Sequence, residues 1–422
     1  MFRNFRILKY GVAPTLALLA VMVLAFQATA QNFQKVPIIL RASEVLPREL
    51  LSGPNYTVRE TVKSDGLVNV YEVETPYGNI KVESTVLLLK RINELRALTK
   101  IEALEGTDVY LNALKAATLQ PVKTAEGLIT NPVDTVSGIA TGIGRFFSNI
   151  GSAVTSTSPY KGNLVNSLSG QASYKREFAY QFGVDPYSSY EPLQKELNKL
   201  AWTAAAGGLT IKTALAAIPG TAASVVSYTG TAGSLKALVS EKTPGELASI
   251  NQNKLYEMGV PSPTVQAFMQ NAVFDPHEQT LLVGELANMT GVTDRKYYIE
   301  TAIGANEESV AVFLRVRAQL MNLYQEKTNS VVSLIGANGV PLMLTKTGVI
   351  VGVFPLDHVA WTVGFARKET AVLTAIEAMP GIRGKELWIT GTVDPLARRI
   401  LERKGWKLED KIQGRLLKKL EP

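Results

Sequence analysis

The sequence predicts a multidomain α+β protein with a small N-terminal antiparallel sheet, a helical middle and a C-terminal α/β module. Three observations predict it. Apolar and polar residues alternate with period two between Tyr56 and Ser84. Apolar spacing changes to three and four residues from Leu88. Strand-like runs return after Val340. The expected boundaries are a leader at 1–30, a small α+β domain at 31–105, a helical domain at 106–330 and the α/β module at 331–422.

The leader comes first. Arg3, Arg6 and Lys9 precede an almost purely apolar run from Val12 to Phe26, and Ala28-Thr29-Ala30 follows. That is the three-part layout of a bacterial secretory signal, with cleavage expected before Gln31. The run is shorter than the ~20 residues that cross a bilayer comfortably, and Pro14 weakens its start. The expected location is the periplasm or the extracellular space, peripheral to a membrane if attached to one. The chain has no cysteine. This excludes lipoprotein processing, disulfides and Cys-rich zinc sites, so stability rests on core packing. Hydrophobic residues make up 46% and charged residues 19% of the 422 residues, which fits a globular chain and excludes a disordered one.

In the first domain, Tyr56–Val62 reads as a half-buried strand. Asp65-Gly66 supplies a turn, and Leu67–Val73 reads as the partner strand. Pro76-Tyr77-Gly78 makes a second turn, and Asn79–Ser84 a third strand. Leu88, Ile92, Leu95, Leu98, Ile101 and Leu104 then form one face of an amphipathic helix, with Arg91, Glu94, Arg96 and Lys100 between them. The helix is expected to cover the meander, because a three-stranded sheet needs a cover.

The middle is punctuated by small polar residues before proline: Asn131-Pro132, Asp185-Pro186, Thr243-Pro244, Ser262-Pro263 and Asp275-Pro276. Each reads as a helix start, with a side-chain cap and a proline that loses no hydrogen bond. Helices are expected over 193–206, 265–273, 279–289 and 307–324. A helix ending at Gly183 would bury Phe178, Phe182 and one of Tyr174 and Tyr180. Two segments are unusual. Gly138–Gly151 mixes glycines with Ile and with Phe146-Phe147, and reads as a core plug rather than a membrane-lying segment. Thr213–Leu235 carries no charge and is long enough to span a bilayer, but Ala, Gly, Ser and Thr dominate it and Pro219-Gly220 breaks it. A buried helix pair is the expectation there. Thr155–Gly170 reads as a loop.

In the last module, 340–344 and 349–354 flank Thr345–Gly348 as a hairpin. A helix is expected over 368–379, a strand over 386–390, and a helix from the Asp394-Pro395 cap to Lys404. Gly405 ends that helix and Trp406–Leu408 begins a last strand. Together the last three make a βαβ-like unit.

Chemistry is sparse. There are two histidines. His277-Glu278 starts like a zinc-protease helix, but no second His follows four residues on, and His277 reads as a partly exposed residue in a helix's first turn. Asp357-His358 is the best catalytic-looking pair, since a carboxylate can orient an imidazole as a base. No Gly-x-Ser-x-Gly, phosphate loop, dinucleotide fingerprint or calcium loop is present, so no cofactor and no metal is expected. Charge points elsewhere. Of the net +7, three units lie in the leader, and residues 367–422 hold thirteen Lys/Arg against eight Asp/Glu. The last cluster, Arg415, Lys418 and Lys419, is a candidate contact for an anionic surface, lipid or polysaccharide. Export disfavours nucleic acid as a partner, and the oligomeric state is left open.

The function expected from these features is that of an exported envelope protein without catalysis, contacting a protein partner, a surface polymer or a membrane surface. The alternatives are an envelope hydrolase using Asp357 and His358, and a membrane-active protein inserting residues 213–235.

Overall fold

The computed structural model describes residues 33–118, 141–150, 170–218 and 230–412. The leader, the 155–169 loop, Asn131-Pro132 and the Arg415, Lys418, Lys419 cluster lie outside the described residues. So do residues 219–229 of the uncharged segment.

The architecture is mixed α+β, with an antiparallel sheet first, helices in the middle and a second sheet with helices last. The N-terminal sheet holds β1 (Ile38–Arg41), β2 (Ser52–Gly53), β3 (Tyr56–Val58), β4 (Thr61–Ser64), β5 (Asn69–Glu74) and β6 (Ile80–Glu83), with β5 at its centre. The single strand expected at 56–62 is interrupted at Arg59-Glu60. Its two halves both pair antiparallel with β5, as Val58↔Val73 and Lys63↔Val70 show. β6 takes the other edge of β5. Asp65-Gly66 makes the expected turn, and Gly66 adopts φ +87°.

Ser84 caps α1 (Thr85–Glu105) through Leu87 N–H. The apolar face is buried as its spacing requires, with Leu88, Ile92, Leu95, Leu98, Ile101 and Leu104 fully enclosed. The polar side differs from the expected solvated face. Arg91 and Glu94 are buried, because a second layer of helices covers them.

The helices that follow in the chain are α2 (Asp108–Thr118), α3 (Gly142–Asn149), α4 (Gly170–Phe182), α5 (Glu191–Ala205), α6 (Ile211–Ala217), α7 (Gly230–Glu241), α8 (Pro244–Glu257), α9 (Ser262–Met269), α10 (Pro276–Asn288), α11 (Lys296–Ile303) and α12 (Glu308–Lys327). Thr243 and Glu246 form a capping box, and Asp275 caps α10. Asp185-Pro186 starts a turn instead of a helix. One oxygen of Asp185 accepts from Tyr187 N–H, and the other is drawn to Lys90. The plug reading of 138–151 holds for its described part, since Ile143, Phe146 and Phe147 are buried. α4 ends before Gly183 with Phe178 and Phe182 stacked in the core. No described helix is long and apolar enough to cross a membrane.

The C-terminal sheet has the order β13-β11-β9-β8-β7, from β7 (Val331–Ala337), β8 (Val340–Thr345), β9 (Val349–Phe354), β11 (Gly384–Ile389) and β13 (Trp406–Glu409). β9, β11 and β13 are parallel, joined through α13 (Val363–Glu377) and α14 (Pro395–Arg403). A parallel two-residue pair, β10 (His358–Val359) with β12 (Thr392–Val393), lies beyond the main sheet. α12 packs on one face, where Tyr324 meets Trp388 edge-on. The 65–69 turn is stitched to this module by backbone bonds: Asp357 N–H to Leu67 O (3.0 Å) and Ala360 N–H to Gly66 O (2.9 Å). One continuous core runs from Ala42 to Ile412.

Candidate functional site

Side chains alternate across a strand, so Leu387 shares a face with its register partner Gly352, and Phe354 two residues on lies on that face too. The pairing Met343↔Val351 places Leu342 there as well. It is the face turned away from Tyr324 of α12, which meets Trp388 on the other side. Between it and the helices above lies a cavity of about 1060 Å³. Leu342, Gly352, Phe354 and Leu387 make its floor. Phe147 of α3, Phe365 and Val372 of α13, Leu401 of α14 and Trp406 of β13 make its walls. Gly352 keeps the floor open: a Cβ there would stand 2.7 Å from the Phe354 ring. Phe147 is fixed edge-on against Phe313 and Phe354, at 5.5 and 5.9 Å between ring centres.

The few charged groups of the lining are mostly engaged by the protein itself. Asp65 accepts from Leu67 and Val68 N–H and from the Thr141 hydroxyl. Arg145 pairs with Glu307. Glu369 accepts from Trp406 Nε1 (2.9 Å) and pairs with Lys404. Lys368 donates to two carbonyls, Ile150 O (2.6 Å) and Asn338 O (3.3 Å), and its burial lowers its pKa. The volume is slightly above the ~300–1,000 Å³ that holds a drug-sized ligand. At ~24 cal/mol per Å³ of residual cavity, a sealed void of this size would cost on the order of 25 kcal/mol, more than the ~5–15 kcal/mol that holds a domain folded. The space is instead open to solvent at its edge, and its apolar walls offer water few partners.

Asp357 and His358 follow Leu356, which touches the cavity, but neither residue lines it. Their side chains take separate partners. The Asp357 carboxylate accepts from Asn69 N–H (2.8 Å) and Thr85 N–H (3.1 Å), so it holds the start of α1 and the centre of the N-terminal sheet. Burial pushes its pKa up to about 6, against the lowering effect of those bonds. His358 Nδ1 lies 2.9 Å from Thr392 Oγ1, and burial lowers its pKa. The sign of the Asp357 effect follows from linkage. A carboxylate whose folded pKa is raised favours the protonated folded state, so its contribution to stability falls as pH rises from about 4 to about 6. At ~1.4 kcal/mol per pKa unit this amounts to about 3 kcal/mol. The Asp357→Asn variant keeps an acceptor and loses the titration. In urea titrations at a series of pH values, its stability relative to wild type should increase across that window; a constant difference would refute the assignment.

A second polar assembly was not legible in the sequence. Lys90 Nζ lies 3.0 Å from Asp185, 3.2 Å from Glu278 and 3.3 Å from Glu308. Arg315 reaches Glu278 at 2.9 Å, and Arg91 joins Glu94 (2.7 Å) to Glu308. His277 is buried here, not partly exposed, because α1 and the 185–190 turn close over the start of α10. Asp185, His277 and Glu278 bring potential ligand atoms within 4.8 Å of one another. The Lys90 ammonium already stands among the same oxygens and supplies their positive charge. Burial disfavours the charged forms, but Arg315 and Lys90 hold Glu278 well below its ordinary value. Burial and the adjacent Asp185 push Asp275 up. The only sequence trace of this assembly is Asp-Pro at both 185 and 275.

Comparison with family models, with curated proteins and with solved structures returns no match.

Proposed function

We propose that this is an exported binding protein without catalytic activity, and that it holds the apolar chain of an amphiphile between the C-terminal sheet and its helices. The observation that carries this reading is the large cavity, walled by Phe147, Leu342, Phe354, Phe365, Leu387 and Trp406. Burying an acyl chain against such walls gains about 0.8 kcal/mol per methylene. The polar groups at the site support binding rather than chemistry. Asp65, Arg145 and Glu369 are each committed to protein partners, and Asp357 and His358 do not converge on a shared atom. The leader accounts for export, where an amphiphile would come from the envelope.

Binding is measured with cis-parinaric acid, read by energy transfer from tryptophan, since Trp406 forms part of the wall. Native mass spectrometry of the purified protein identifies any amphiphile it already carries. Filling the space with Val372→Trp should weaken probe binding about tenfold or more, equivalent to ~1.4 kcal/mol. The melting temperature should change by only a few degrees, because the added ring enters a vacant volume. Unchanged binding in Val372→Trp, or no uptake by wild type, would refute the reading.

A further inference from the structure

The edge of the cavity carries a surface that its contents do not explain. Among the described residues, eight large hydrophobic side chains are exposed. Three of them, Phe33, Val36 and Ile39, fall within seven residues of chain, and a fourth, Val363, stands at the start of α13. Phe33, Val36 and Val363 all line the cavity opening and are 40%, 41% and 51% exposed. Such a concentration at one opening marks an interaction surface, whereas single exposed apolar residues do not.

The rim is built, not accidental. Gln34 N–H donates to Trp361 O (2.9 Å), and Trp361 N–H donates to Gln34 Oε1 (2.8 Å). This reciprocal pair fixes the 33–36 segment beside Val363. Cations surround the apolar residues. Lys35 and Arg367 are exposed, and Lys368 is half-buried at the opening. Arg367 is one helical turn beyond Val363 and shares its side of α13. The acids of the lining, Asp65 and Glu369, are already engaged as described above.

We infer that this rim docks on a bilayer containing anionic phospholipid, with Phe33, Val36 and Val363 entering the headgroup region and Lys35 and Arg367 facing lipid phosphates. Apolar insertion combined with cation attraction is the physical mode of a peripheral membrane surface. The geometry also lets an acyl chain pass between bilayer and cavity without crossing open water. The inference rests on the proposed ligand reading and names the surface from which that ligand is taken.

The test uses the chain as cells produce it, its N-terminus determined by sequencing, sedimented with phosphatidylcholine vesicles with and without phosphatidylglycerol. Wild type should sediment with the phosphatidylglycerol vesicles, less so at high salt. Combined Phe33→Asp, Val36→Asp and Val363→Asp should reduce sedimentation about tenfold or more, the equivalent of ~1.4 kcal/mol. Combined Lys35→Glu and Arg367→Glu should abolish the preference for phosphatidylglycerol. All five side chains are exposed, and circular dichroism checks that the fold persists. Wild type should take up cis-parinaric acid in vesicle-free solution, which reads the cavity separately from the docking. Vesicle binding equal to wild type in both variants overturns the inference, as does a rim-dependent dimer in light scattering without vesicle binding. Wild type that takes up the probe and ignores vesicles overturns the docking alone. Rim-dependent vesicle binding without probe uptake overturns the ligand reading instead.

Discussion

Replacing Lys90 with methionine is expected to cost about 3–5 kcal/mol of folding stability, the range found when one partner of a buried charge cluster is removed. Among the described residues, Lys90 alone reaches Asp185, Glu278 and Glu308 together. These three come from the turn before α5, the start of α10 and the start of α12. Arg315 would still hold Glu278, and Arg91 would still hold Glu308. Among the described residues, the basic side chain left within 4 Å of Asp185 would be His277, whose Nδ1 is 3.7 Å away. Methionine preserves most of the stem's packing, so the loss measures the charge. Denaturant titration checks the value, and a wild-type midpoint would contradict it. Adding Asp185→Asn should recover part of the loss, because the orphaned charge then disappears. The same cluster makes the protein acid-sensitive. Lys90 and His277 hold Asp185 below its ordinary pKa despite burial, so the stability it contributes is lost as pH falls through its folded value.

Gly391→Ala is expected to cost about 3–5 kcal/mol or to prevent folding, among the largest effects of a single substitution. A Cβ at this position would lie 1.9 Å from Asp357 O and 2.7 Å from Leu356 O. Both obstacles are backbone and neither can rotate aside. The close approach exists because Gly391 N–H donates to Leu356 O (2.8 Å) and Thr392 N–H to Asp357 O (3.0 Å). Spreading these two backbone segments would move Leu356 at the cavity and Asp357 beneath α1 together. A soluble Gly391→Ala protein with the wild-type denaturation midpoint would show that the crossing is looser than described. The Thr390–Pro395 stretch reads in sequence as a turn before a helix cap, and Asp394 does cap α14 through Leu396 N–H. The need for glycine is different: it is set by the backbone between β9 and β10, thirty-four and thirty-five residues earlier.

That contrast separates what could be read in advance from what could not. The Asp65-Gly66 turn, the face of α1, and the caps at Thr243, Asp275 and Asp394 follow from residues within a few positions of one another. Local propensity and hydrogen bonding decide them. β7 escaped notice because a register shift between Val331 and Ser333 breaks its alternation. Arg91 and Glu94 resemble a solvated helix face until helices remote in sequence cover them. The cavity depends on alignments between β8, β9, β11 and two covering helices. Its one local trace is Gly352 inside an otherwise apolar strand, which can mark close approach of a ligand. Asp357 and His358 are adjacent in sequence, but neighbours on an extended chain point to different sides, and their partners come from different modules.

The reciprocal bonds between Gln34 and Trp361 join residues separated by 327 positions. At the ribosome's pace of ~5–20 residues per second, the first of the pair waits tens of seconds for the second. During that interval Phe33 and Val36 have nowhere to dock, and the vessel they help to close does not yet exist. The wall of the cavity can therefore be complete only after translation has nearly ended, in the finished molecule and not the growing one.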